Sequence, residues 1–68
     1  MRRVSGLTEI EKELLQLKVD GFTYKEIAEK RQRSIHTVET QFWHIRTKLG
    51  ARTMYEAVAC AFRQGWLK

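Results

Sequence analysis

Three T-x-x-E tetrads, Thr8 to Glu11, Thr23 to Glu26 and Thr53 to Glu56, set where this chain can begin helices. In such a box the threonine hydroxyl accepts from the backbone N–H three residues on, and the glutamate reaches back to the threonine N–H. Proline is absent, and four glycines (Gly6, Gly21, Gly50 and Gly65) divide the chain into segments of helical periodicity. No stretch sustains the apolar–polar alternation of a half-buried strand. The fold class expected is therefore all-α: a four-helix, bundle-like domain with a helix-turn-helix at its centre.

The spacing predicts helices over about 8–20, 24–30, 35–49 and 54–64. In the first, Ile10, Leu14 and Leu17 form a stripe that Leu15 widens, and Gly21 suits the left-handed position after it. Phe22 and Ile27 flank the start of the second at the spacing of a hydrophobic staple. Ala28 is small enough for the third helix to cross the second closely. Ser34 caps the third helix and Gly50 stops it.

The third helix has two clearly different sides. Val38, Phe42, Ile45 and Leu49 fall within roughly 60° of arc at ~100° per residue, as a core face should. His36, Thr40, Trp43 and Thr47 fill a similar arc opposite, flanked by Glu39 and His44. A helix presented this way by a shorter one before it has the geometry that enters a DNA major groove. The N-terminus of the second helix, at Thr23, Tyr24 and Lys25, offers N–H groups to a phosphate. An ordinary cap in water accounts for those residues equally well.

The charge is concentrated near the same helix. The net charge is +5, yet residues 1–29 hold five Lys or Arg against six Asp or Glu. Residues 30–53 hold Lys30, Arg31, Arg33, Arg46, Lys48 and Arg52 against Glu39 alone. An even spread would read as a solvated surface; this clustering points to a polyanion partner.

A chain of 68 residues is one domain near the lower size limit and buries only ~60% of its unfolded surface. The single cysteine, Cys60, excludes an internal disulfide. It lies in an apolar run, where it is expected to pack as a small hydrophobe rather than to do redox work. No apolar run approaches the ~18 residues of a membrane span. The start, MRRVSG, has the charge of a signal peptide without its apolar region. A cytoplasmic location is expected, with no membrane partner.

The fourth helix is apolar on most of its circumference, through Met54, Tyr55, Ala57, Val58, Ala59, Cys60, Ala61 and Phe62. One stripe would suffice to pack it. The surplus points to a second contact, a twin subunit or another domain, with Tyr55, Ala59, Cys60 and Phe62 as candidates. Trp66 and Leu67 are expected to fold back over the core after Gly65.

Residues 7–67 resemble the LuxR/FixJ-type (GerE-type) helix-turn-helix domain of bacterial transcription regulators. The matching pieces begin with Leu7-Thr8, Glu11, Glu13, Leu15, Leu17 and Gly21. They continue through Lys25-Glu26-Ile27-Ala28, Ser34, Thr37-Val38, Ile45, Lys48-Leu49-Gly50 and Ala57-Val58. The resemblance implies a third helix that reads the major groove and a fourth that mediates dimer contacts. By position it implies Glu39, Thr40 and Trp43 at base edges. It also implies Thr23, Tyr24, His36, Thr37, Arg46, Thr47 and Lys48 at phosphates. Double-stranded DNA is the partner implied, with a homodimer and no small-molecule ligand in the domain.

This chain departs from the family's pattern at several positions. The family usually carries leucine and isoleucine where Arg31 and Arg33 stand, asparagine at Tyr24, histidine at Gln41 and an arginine near Met54. Two arginines replacing core aliphatics are expected to lay their stems on the surface with the charges outside. There they strengthen the basic patch, which adds Arg33 to the phosphate candidates. Glu39 fits either a cytosine amino group or the orienting of a neighbouring arginine. Trp43 fits a thymine methyl, a sugar or a protein surface.

The expected function is sequence-specific binding of duplex DNA by a transcription regulator. The domain is expected to stand alone as a small regulator or to form the DNA-binding end of a longer one. The competing reading is a protein-interaction module on the same scaffold, an adaptor or a sigma-region-like domain. An enzyme is not expected. His36 and His44 are two turns apart with a drift of ~80°, no metal ligand lies between them, and no glycine-rich phosphate loop or acid–base pair is present. No cofactor is implied.

Overall fold

Each helix begins where a hydroxyl caps it. In a computed structural model that describes residues 6–68, the elements are α1 (Glu9–Val19), α2 (Tyr24–Arg31), α3 (Ile35–Leu49) and α4 (Met54–Arg63). The expected charges at Arg2 and Arg3 lie outside the described residues. Thr8 Oγ1 accepts from the Glu11 N–H at 3.1 Å, and the Thr8 N–H donates to Glu11 Oε1 at 2.9 Å. Thr23 and Glu26 repeat the exchange at the same distances. Ser34 Oγ accepts from the Thr37 N–H at 3.1 Å. The third box is only half made: Thr53 Oγ1 caps the Glu56 N–H, but the Glu56 carboxylate accepts from the Arg52 N–H instead, at 2.7 Å.

The helix ends explain the tight turn at the centre. Gly50 closes α3 at φ 67°, the left-handed region where glycine has no Cβ to clash. Gln32 closes α2 at φ 56° without that freedom, at a cost of roughly 1–2 kcal/mol. The Arg33 N–H, donating to the Ala28 carbonyl at 2.9 Å, helps hold the turn.

The core gathers around α3, which packs against all three other helices. Val38, Phe42 and Ile45 have no exposed surface, and Leu14, Leu15, Ile27, Ala28, Ala61 and Leu67 complete the cluster with Leu7. The Tyr24 ring stacks on Phe42 with centroids 5.1 Å apart, and Lys18 Nζ lies 4.7 Å over the outer aromatic. The C-terminal residues do fold back: Leu67 is buried, Trp66 lies under Lys12 Nζ at 5.3 Å, and the Lys68 N–H donates to Gln16 Oε1.

One expected core residue lies outside. Ile10 is 49% exposed. Leu14 and Leu15 together aim α1 at the core, and at ~100° per residue Ile10 falls roughly 90° from their bisector. Leu7, just before the cap, joins the core instead.

Candidate nucleic-acid interface

α2, the Gln32 turn and α3 form a helix-turn-helix whose second helix turns one side away from the core. His36, Glu39, Thr40, Trp43, His44 and Thr47 are all exposed on α3. Neighbours three and four apart meet on a helix surface, so Glu39, Thr40 and Trp43 form one contiguous patch with His36 before it and Thr47 after it. Trp43 is 54% exposed, and its ring meets His44 edge-on at 5.3 Å. Ile35, also exposed, adds an apolar residue in the first turn of the same helix.

The expected phosphate residues separate into groups. Thr23, Arg33, His36 and Thr47 are exposed; Arg46 and Thr37 are half-buried, and the Thr37 hydroxyl oxygen accepts from Ser34 at 3.0 Å. Thr23 is engaged in its cap. Tyr24 is half-buried against Phe42, so its ring serves packing first.

Lys48 has a different partner from the phosphate expected for it. Its Nζ lies 2.8 Å and 3.0 Å from the two Glu11 carboxylate oxygens and 3.3 Å from the Gly6 carbonyl. Burial pushes the Glu11 carboxyl up, but the bonds from Lys48 and Thr8 together with the Lys48 charge outweigh it and hold it below its ordinary value. Arg31 is likewise taken: its Nη1 lies 3.2 Å from Glu13 Oε1, so it does not simply add to the basic patch. The pairs are 37 and 18 residues apart, and no local spacing in the sequence signals either.

With those two arrangements made, Lys30, Arg33, Arg46 and Arg52 stand against Glu39 in the segment around α3. Among the described residues ion pairs engage only Lys12, Arg31 and Lys48 among the cations. Among the described residues no group of His, Cys, Asp and Glu is arranged to hold a metal, and no helix is long and apolar enough to cross a membrane.

On α4, Tyr55 is 88% exposed, Phe62 47%, and Ala59 is exposed beside them. Cys60 is half-buried and lines an open groove of about 250 Å³ with Leu49, Ala51, Ala59 and Arg63. Ala57 and Ala61 face the other way, into the protein.

An all-α domain with this central pair of helices and an uncovered, cation-flanked side on the second is a helix-turn-helix domain of the nucleic-acid-binding kind. Residues 5–61 match the family described as bacterial regulatory proteins, luxR family, and the chain belongs to it. It is accordingly a DNA-binding domain of transcription regulation. The chain is 46% identical over 59 residues to the uncharacterized response regulatory protein YgeK of Escherichia coli K12, a match covering 87% of this chain and 40% of that protein. It is 42% identical over 62 residues to the oxygen regulatory protein NreC of Staphylococcus aureus JH9, covering 91% of this chain and 29% of that protein. The chain thus spans less than half the length of either relative.

Proposed function

We propose that this domain binds duplex DNA sequence-specifically, with α3 in the major groove and two copies joined through α4. The observation that carries the reading is the outward side of α3, where Glu39, Thr40 and Trp43 are exposed beside an excess of cations. Phosphate contacts supply affinity, and the α3 residues supply choice of sequence. In the segment around α3, Lys30, Arg33, Arg46 and Arg52 are the cations that no acidic residue holds among the described residues. If about four phosphates are neutralised, log K falls against log salt with a slope near −3.6.

The α4 stripe fits a two-fold pairing. Tyr55, Ala59 and Phe62 recur at four and three residues, with Glu56 and Arg63 along one edge of that stripe. An antiparallel pair crossing at the small Ala59 brings each Glu56 toward the partner's Arg63. Such self-complementarity is what a two-fold interface requires.

In-vitro selection of bound DNA, followed by a salt titration on the winning site, tests the reading. Paired half-sites and a steep slope support it; no enrichment and a slope near zero overturn it. The exposed Trp43 and Tyr55 also suit a protein partner. Under that second reading a pull-down succeeds where the mobility shift on genomic fragments fails.

A further inference from the structure

We propose that Trp43 makes this domain selective for thymine by packing its indole on the C5 methyl group in the major groove. The inference rests on α3 being the groove-reading helix and names what one residue of it reads. Trp43 is a large apolar surface left 54% exposed at the middle of the outward side of α3. An indole has one N–H donor and no acceptor. It therefore cannot make the bidentate pairs with guanine or adenine edges that Arg, Asn and Gln make. Thymine presents the one apolar group on any major-groove base edge, its methyl.

The surroundings of Trp43 suit that task. His44 meets the indole edge-on at 5.3 Å, with an interplanar angle of 64°, so one edge of the ring has an aromatic neighbour while its face stays open. Thr40 is one turn earlier and exposed, and its own methyl extends the apolar strip. Glu39 is four residues before Trp43 on the same side. As a carboxylate it only accepts, and a cytosine amino group is the base-edge donor it suits. The pair of positions therefore fits a thymine with a cytosine nearby. A Trp43 pressed on a deoxyribose would be indifferent to the base methyl, so the two placements give opposite results.

The experiment replaces each thymine of the selected half-site, one at a time, with deoxyuridine, which removes a single methyl group. At one position per half-site the wild-type domain should bind about fourfold more weakly, the worth of one buried methyl-sized group. Trp43→Ala should bind more weakly overall and no longer distinguish thymine from uracil there. Trp43→Phe, compared with wild type for helicity by circular dichroism, should keep part of the discrimination. Wild-type binding unaffected by uracil at every position, or discrimination undiminished in Trp43→Ala, overturns the proposal. Failure to bind any duplex sequence overturns the reading of α3 itself, whereas tight binding without methyl discrimination removes only this inference.

Discussion

Lys48 Nζ sits 2.8 Å from Glu11 Oε1, tying the last turn of α3 to the first turn of α1 across 37 residues of chain. The Glu11 side chain is only 14% exposed and also caps its own helix, so the pair is better sheltered than most surface bridges. It fixes the C-terminal end of α3 against α1. A lysine so held is less free to follow a phosphate.

Lys48→Met should consequently act on stability before binding. An ion pair near the surface is worth at most about 1 kcal/mol, which in a domain of this size is a fall of about 4–8 °C in Tm. Glu11→Gln should lower Tm similarly while leaving DNA affinity at 25 °C within about twofold. Calorimetry beside fluorescence anisotropy checks both. A clear gain of affinity in Glu11→Gln would mean that Lys48 is a phosphate ligand held in reserve.

Acid should release the same tie. The folded-state Glu11 carboxyl lies below its ordinary value, so its contribution is present above the unfolded pKa and lost as pH falls through the folded one. Tm should drop as pH is taken from about 6 to about 3. Glu11→Gln should lose less over that interval, and thermal melts at stepped pH read the difference. Parallel curves for the two proteins would contradict the assignment.

Arg31 and Arg33 should behave differently despite their closeness. Arg31 is paired with Glu13 and its side chain is 29% exposed, whereas Arg33 is exposed with no acidic partner among the described residues. Arg31→Leu should leave DNA binding within about twofold and keep or raise Tm, since an apolar residue replaces a partly desolvated charge. Arg33→Leu should weaken all sequences alike and reduce the salt slope by about 1. Salt titrations of the two variants decide this.

Phe42→Ala should abolish the fold. Phe42 is fully buried on α3 and stacks on Tyr24 of α2. Removing a buried phenylalanine costs about 3–5 kcal/mol, and a domain of 68 residues at the low end of about 0.05–0.15 kcal/mol per residue has only about 3–5 kcal/mol to lose. Circular dichroism should show no cooperative transition, and a melt within a few degrees of wild type would refute the assigned weight.

Ala59→Glu should separate paired copies without unfolding either. Ala59 is exposed at the middle of the α4 stripe, and a carboxylate there meets its own image across a two-fold axis. Sedimentation and cooperative binding to two half-sites should both revert to single-copy behaviour, with Tm of the isolated domain unchanged. Retained cooperativity would exclude this face as the contact.

The all-α fold and the two sides of α3 were legible because both depend on short-range repetition. The threonine and serine caps mark helix starts directly, and Val38, Phe42 and Ile45 are buried where the helical period places them. The burial of α1 was less legible: Leu14 and Leu15, adjacent in sequence, decide its facing, and Ile10 turns outward as a result. The Glu56 carboxylate found the Arg52 N–H rather than that of Thr53, a choice between near neighbours that the tetrad does not encode. Glu11–Lys48 and Glu13–Arg31 depend on which helices lie side by side. That is settled by packing, so neither appears in any local pattern. Glu39, Thr40 and Trp43, the α3 residues expected at base edges, are exposed together, whereas Thr37 and Arg46 are half-buried and Lys48 is held by Glu11. Which base edge a side chain would meet depends on the nucleic acid, not on this chain's own pattern.

The two tryptophans stand in opposite surroundings. Trp66 is half-buried beneath Lys12, whereas Trp43 is turned outward on α3. Replacing either with phenylalanine leaves a single indole fluorophore. Emission from Trp66 alone would track melting of the domain, and quenching of Trp43 alone would track the docking of a duplex. A molecule this small thus carries separate optical gauges for its own integrity and for its occupancy, with no dye attached.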